Sequence, residues 1–308
     1  MSKLLVATQK PFAQNAVDNI KSLSDSAGYE LILLEKYADK NELLNAVSDA
    51  TALIVRSDKV DSEIIDAAKE LKIVVRAGAG YDNIDLEAAS RKGLVVMNTP
   101  GQNSNAVAEL ALGMMVYIAR NNFNGTSGTE LFGKKLGIHG YGNVGKNITR
   151  IAKGFGMDVF TFHPRLDNSI IIEGGVTPLN SHEELYSTCQ YISVNIPARK
   201  ENVNAVTYEL MAKMPAGAML VNTARKEVVD EASLIRMMSA RPDFKYVSDI
   251  IPDNKDEIEE KFEGQYFFTP KKMGAQTSEA NINAGIAAAN QIINFLKNGD
   301  NTFQVNNF

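Results

Sequence analysis

Residues 136–145 read LGIHGYGNVG, and Gly140, Gly142 and Gly145 stand in the spacing G-x-G-x-x-G. An apolar run, Lys135 to His139, precedes the glycines, and a helix-compatible stretch, Asn143 to Lys153, follows them. In that frame the first glycine permits a tight turn, the second lets backbone approach a pyrophosphate, and the third lets helix pack on strand. With Asn143 and Val144 opening the helix, its unpaired N–H groups and positive end suit a diphosphate. The next strand, DVFTFH, would ordinarily end on an Asp or Glu that binds the adenosine ribose hydroxyls. That position is His163 here, followed by Pro164 and Arg165. A nearby Arg can accommodate a 2′-phosphate, so the dinucleotide is read as NAD with NADP left open. The alternative is that His163 and Arg165 stack on adenine or face solvent.

A second group of chemistry-bearing residues lies in the first third of the chain. Arg56 and Ser57 close the apolar run ALIVRS. At the carboxyl end of a parallel strand, a fork-shaped cation beside a hydroxyl suits a phosphate. Asn103, Ser104 and Asn105 add neutral donors, and Lys10 is a further cation in the loop after the first strand. No metal site is read from the sequence.

The elements that would position these groups alternate along the whole chain. KLLVAT, ELILLE, ALIVRS, KIVVRAG and LVVMNTP read as buried parallel strands, separated by helix candidates at 14–24, 40–47, 62–68 and 86–91. The rhythm restarts at Leu136 and continues through DVFTFH, YISVNI, AMLVNT, YVSDII and YFFTP. Two such series predict an α/β protein of two doubly wound parallel-sheet domains. Between them, Ala106 to Ala119 is apolar nearly all round, as in a helix buried in a large core, crossing between domains or packing at an oligomer interface. A symmetric homodimer is expected on that ground. Glu279 to Lys297 is a long C-terminal helix candidate expected to return to the first domain.

Bulk properties narrow the partners. A net charge of −5 argues against nucleic acid, which needs a basic footprint. No long uncharged apolar stretch or signal-peptide pattern is read, and Cys189 is the single cysteine, so no membrane partner and a cytoplasmic setting are expected. The expected partner is a small molecule.

Specific segments add a resemblance. VRAGAGYDNID (75–85), VMNTPGQNSNAVAEL (96–110), LGIHGYGNVG, SVNIP (193–197), LVNTAR (220–225), VSDI (247–250) and TPKKMGAQT (269–277) occur in order over essentially the whole chain. In these pieces the chain resembles the D-2-hydroxyacid dehydrogenases. The resemblance implies a Rossmann dinucleotide-binding domain, 99–277, inserted in a discontinuous flavodoxin-like substrate domain, 1–98 with 278–308, and an active site in the cleft. It implies that Arg225 holds the substrate carboxylate and 2-oxygen, a task a planar guanidinium performs bidentately. It assigns Asp249 to the nicotinamide carboxamide and carries Asn195, Ile196, Pro197, Thr223, Ala224 and Gly274 over as cofactor-binding positions. Gly78 and Ala79 lie in a tight turn whose amides could cradle a carboxylate, with Arg76 beside them read as structural.

Two departures from the family pattern concern the acid/base. The family's His belongs in P-H-x-G, whereas this chain has Pro270, Lys271, Lys272, Met273, Gly274. Anchoring on Gly274 puts Lys272 at the His position, with Lys271 as the competing register. The Glu that pairs with that His aligns near Asn254. Losing both together has a physical sense. A carboxylate raises a histidine toward the working range but would push a lysine, already near 10.4, further from it. Neighbouring cations and desolvation would instead lower it. The resemblance is greatest to members acting on D-3-phosphoglycerate, in a lysine-type subgroup without the C-terminal regulatory domain. It implies oxidation to 3-phosphohydroxypyruvate, the entry to serine synthesis. The alternatives are a hydroxypyruvate, glyoxylate or other D-2-hydroxyacid reductase and a catalytically inactive, dinucleotide-sensing interaction protein.

Overall fold

Short β-branched and leucine-rich runs set the strands, and polar-faced segments between them set the helices. The structure, a computed structural model, describes residues 2–307. Its first unit takes the chain up to Asn103 and again from Gln276; its second is Ser104–Ala275. These boundaries lie a few residues from 98/99 and 277/278, because the apolar helix starts at Ser104 and Thr277 caps the C-terminal helix.

The first unit contains β1 (Lys3–Thr8), α1 (Gln14–Ala27), β2 (Glu30–Glu35), α2 (Lys40–Val47), β3 (Ala52–Val55), α3 (Ser62–Ala67), β4 (Ile73–Arg76), α4 (Leu86–Arg91) and β5 (Val95–Asn98). Its strands are all parallel in the order β2-β1-β3-β4-β5, the flavodoxin-like winding. Side chains alternate across this sheet. Leu4, Val6, Ile54, Ile73 and Val75 face one apolar layer, while Leu5, Ala7, Leu53, Val55 and Val74 face the other. β2 is not the buried strand expected from its composition. It is an edge strand with a glutamate at each end, and Leu33 is 44% exposed.

The second unit contains α5 (Ser104–Ala119), β6 (Lys135–His139), α6 (Asn143–Gly154), β7 (Asp158–Phe162), α7 (Asn168–Glu173), β8 (Thr177–Pro178), α8 (His182–Thr188), β9 (Tyr191–Val194), α9 (Tyr208–Met211), β10 (Met219–Asn222), α10 (Glu231–Ala240), β11 (Lys245–Ser248), α11 (Lys255–Lys261) and β12 (Tyr266–Phe268). The chain then closes on α12 (Ser278–Asn298), which belongs to the first unit. The second sheet runs β12-β11-β10-β9-β6-β7-β8, the Rossmann winding with one further strand, and its order reverses between β6 and β9. α5 packs with Leu136, Ile138, Val159 and Val221 in one apolar layer. Ten of its residues are buried within its own chain. Much of its apolar character is thus accounted for by this core, while Leu110, Val116 and Tyr117 are only partly buried.

Candidate active site

β6 ends directly beneath the glycine turn. The Asn195 N–H donates to the His139 carbonyl at 2.7 Å, tying the loop after β9 to the end of β6. Gly140 has φ +106, and a Cβ there would lie 2.8 Å from the Asn195 carbonyl carbon. Only glycine fits that close approach. Gly142 differs: it caps α6 with φ −91, and a Cβ would meet nothing within 4 Å. The second glycine therefore keeps space clear rather than relieving a contact with protein. The first helical bond runs from the Lys146 N–H to the Gly142 carbonyl at 2.9 Å. The N–H groups of Asn143, Val144 and Gly145 precede it and have no acceptor one turn back. Asn195 Oδ1 and Thr223 Oγ1, just past β9 and β10, are buried without hydrogen-bond partners. Open space, a helix N-terminus and two orphaned polar atoms at the carboxyl ends of the strands fit a dinucleotide.

His163 follows β7. Its Nδ1 accepts from the Arg165 N–H at 3.2 Å and the Leu166 N–H at 2.9 Å. Burial, and secondarily Arg165, hold its pKa below the usual histidine value. The ring is thus neutral with its proton on Nε2, a donor where the usual carboxylate would accept. Pro164 and Arg165 are exposed. Under the turn, His139 is 3% exposed, shares a 3.0 Å hydrogen bond between Nδ1 and Tyr186 Oη, and lies 4.2 Å from the His182 ring. Burial, and secondarily His182, push its pKa down to about 3.

Arg225 and Lys272 meet at one backbone atom. Arg225 Nη1 donates to the Ala224 carbonyl at 2.9 Å, and Lys272 Nζ reaches the same oxygen at 3.4 Å. The turn carrying Arg225 is held by Asn222, which is fully buried. Its Nδ2 donates to the Arg225 carbonyl at 2.9 Å, and its Oδ1 accepts from the Ala224 N–H at 3.0 Å. Sequence reading passed over Asn222; its position inside LVNTAR, where a buried strand end must turn, was the available signal. Lys271 is exposed, and its carbonyl, rather than its ammonium, is engaged, by Thr269. Lys272 is also exposed, so the desolvation expected for it is absent. Asn254 stands at the start of α11, its N–H bound to Glu231 Oε2 at 3.0 Å.

Asp249 is 1% exposed and is held from three sides. Oδ1 accepts from Thr269 Oγ1 at 2.9 Å and the Met273 N–H at 2.8 Å, and Oδ2 accepts from the Gly274 N–H at 2.7 Å. The carboxylate thus grips the segment that carries Lys272, a contact sequence reading did not foresee. One lone-pair direction on Oδ2 is left for a carboxamide.

In the first unit, Arg56 turns inward. Its Nη1 donates to the carbonyls of Lys10 at 2.9 Å and Pro11 at 3.0 Å, its Nη2 to Asn281 Oδ1, and its guanidinium lies over the Phe12 ring. Three of its five N–H groups therefore serve the fold. Ser57 is exposed, and the next residue, Asp58, is buried, accepting from the Gln9 N–H at 2.7 Å and Tyr37 Oη at 2.9 Å. Gly78 corrects another expectation. Its N–H already donates to the Arg76 carbonyl at 2.8 Å, and the Arg76 guanidinium lies over its Cα, leaving the exposed Ala79 to offer an amide. Asn103 is half-buried at the end of this unit, and Ser104, buried, opens α5.

The sequence signature of the D-isomer specific 2-hydroxyacid dehydrogenase catalytic domain matches residues 6–306. The chain belongs to this family. The resemblance read from its motifs is borne out. Among curated relatives, the human D-3-phosphoglycerate dehydrogenase is 34% identical over 87% of this chain and 52% of its own length. The chain spans about half the length of the first curated relatives it matches. A hydroxypyruvate reductase of Thermotoga maritima is 33% identical over 87% of the chain and 92% of its own. Among solved structures, the NAD+-bound 3-phosphoglycerate dehydrogenase of Entamoeba histolytica is 48% identical, covers 100% of this chain and 99% of its own, and superposes with a TM-score of 0.87. Both sheet windings above are those of this family's fold.

Proposed function

We propose that the chain oxidises D-3-phosphoglycerate to 3-phosphohydroxypyruvate with NAD, the first step of serine synthesis. The observation that carries this reading is the convergence of Arg225 and Lys272 on the Ala224 carbonyl. It sets a carboxylate-binding fork beside a proton carrier on one short stretch of surface. Arg225 binds the carboxylate and polarises the 2-oxygen. Lys272 in its deprotonated form takes the hydroxyl proton as the C2–H bond breaks and the C2=O bond forms, and the resulting ammonium returns it in the reverse direction. NAD, when bound, supplies the hydride acceptor. The first helical turn of α6 would hold its diphosphate, His163 Nε2–H would be available to its ribose, and the orphaned Thr223 and Asn195 atoms would supply polar contacts. The phosphate of the substrate is taken by Ser57 with the two remaining N–H groups of Arg56.

A reduction of the unphosphorylated analogue is the second reading, and Asp58 favours it. A buried carboxylate next to Ser57 opposes a dianionic phosphate there. Initial rates with NADH on 3-phosphohydroxypyruvate and on hydroxypyruvate separate the two. The first should have the higher kcat/KM, at least 10-fold; equal or reversed values refute the phosphate assignment. Lys272→Ala should lose at least 100-fold in kcat while Lys271→Ala stays near wild type.

We further propose a cytoplasmic homodimer. No helix among the described residues is long and apolar enough to cross a membrane. Phe132, 74% exposed, and Phe155, 42% exposed, share one groove with Val116 and Leu131, a patch suited to a second copy of the chain.

A further inference from the structure

Lys272 lies on a segment with no regular secondary structure, between the end of β12 and the start of α12. The Lys272 side chain reaches the Ala224 carbonyl at 3.4 Å, and the course of its backbone sets where that side chain starts. That backbone is held at one point. Within six residues, Thr269 Oγ1 and the N–H groups of Met273 and Gly274 all converge on the Asp249 carboxylate, and the single Thr269 hydroxyl proton is shared between Asp249 Oδ1 and the Lys271 carbonyl, each 2.9 Å away. The Thr269 N–H in turn donates to the Ser248 carbonyl at 3.1 Å, fixing the hydroxyl to the sheet. Thr269 is 3% exposed, so its hydroxyl has no water to exchange with. Gly274 is pressed so close that a Cβ would stand 2.9 Å from Asp249 Oδ2 and 3.2 Å from Val107 Cγ2. The anion is thus saturated on the segment's side by three donors flanking Lys272.

We infer that Thr269 is a positioning residue for the reaction: with Asp249 it locks the 269–274 segment in the one backbone course that brings Lys272 to the Arg225 turn. The inference rests on Lys272 as the proton carrier. Without the hydroxyl, the carboxylate still attracts the two amides, but the one proton that Thr269 offers to Asp249 and to the Lys271 carbonyl is gone. The segment then samples courses in which Nζ no longer stands by Ala224. The effect falls on turnover, because Thr269 meets Asp249 at Oδ1, while the direction left for a carboxamide is on Oδ2, which keeps its Gly274 amide.

The test compares Thr269→Val, which keeps the shape and removes the hydroxyl, with Thr269→Ser, which keeps the hydroxyl. Amide hydrogen exchange of the peptide spanning Met273 and Gly274 is read on the full-length protein without ligands, and kcat and the KM for NAD are read alongside. Thr269→Val should exchange at least 10-fold faster at those amides and lose about 10-fold in kcat with KM for NAD within twofold. Thr269→Ser should match wild type in both. Unchanged exchange in Thr269→Val overturns the inference, as does faster exchange with unchanged kcat, or a serine variant as impaired as valine. Exchange is read without turnover, so the lock is judged even if Lys272→Ala shows that another group carries the proton.

Discussion

Gly140 and Gly142 stand two residues apart and should fail in opposite ways when given a methyl group. At Gly140 the Cβ would sit 2.8 Å from backbone of the Asn195 loop, and φ is +106. Overpacking of that kind costs about 1–3 kcal/mol, and the unfavourable backbone conformation costs roughly 1–3 kcal/mol more. At about 2–4 °C per kcal/mol for a unit of this size, Gly140→Ala should melt about 10 °C below wild type. At Gly142 the backbone is ordinary for alanine and the space is open. Only the preference for glycine over alanine at a helix cap is lost, about 0.5–1 kcal/mol, or about 2 °C. A ligand backbone-close to Gly142 would, however, meet the methyl directly. A clash of about 1–3 kcal/mol weakens binding roughly 10- to 100-fold. Thermal melts followed by circular dichroism, with NADH titrations followed by fluorescence, read both quantities. NADH binding by Gly142→Ala at wild-type strength would refute the reasoning, because the open space would not then be where the diphosphate lies. So would a Gly140→Ala variant that melts like wild type.

Two further outcomes are expected. His139 has a native pKa near 3 against about 6.5 unfolded, so between these values the unfolded chain binds a proton that the native chain does not. Its contribution is complete above pH 6.5 and declines as pH falls toward 3, reaching a loss of about 2 kcal/mol at pH 5. Denaturant titrations at pH 7 and 5 should show His139→Asn less acid-sensitive than wild type by that amount; equal sensitivity would contradict the assignment. Phe132→Asp, by placing charge in the exposed groove, should shift sedimentation from dimer to monomer at micromolar concentration and remove any concentration dependence of the melting temperature; a variant that stays dimeric moves the interface elsewhere.

Much of the fold was legible because buried parallel strands leave a plain mark. Lys3–Thr8 and Lys135–His139 follow directly from apolar runs and the Gly turn, and the helix over 40–47 stands where it was read, with Asp39 found to cap it. The glycine turn was legible for the same reason: its chemistry lies in the backbone and therefore in spacing. Side-chain direction was not. Arg56 ends a strand, which sequence can see, but its inward course depends on Phe12 and Asn281, far away in the chain. Gly78 offers an amide by composition, yet the turn's own geometry consumes it. α5 reads as apolar all round, and sequence cannot say whether a core or a partner covers it. Asp249 belongs to a recognisable motif, while its grip on Met273 and Gly274 exists only once two strand ends are adjacent.

The chain's first sheet borrows one of its walls from the far end of the polypeptide. Ala284, Ala288, Ala289 and Ile292 of α12 complete the layer over Val6, Ile54, Ile73 and Val75, and Gln304 pairs antiparallel with Met97 beyond β5. During synthesis those strands leave the ribosome long before their cover does. The second unit, whose layers lie wholly between Ser104 and Ala275, is free to fold in the interval. A nascent chain therefore carries a complete second unit and a first sheet with one apolar face covered only in part, by Ala16, Val17 and Ile20 of α1. Stop codons or proteolytic clips ahead of Ile292 leave that intermediate permanent, so losses at the extreme C-terminus register as aggregation led by the N-terminal strands.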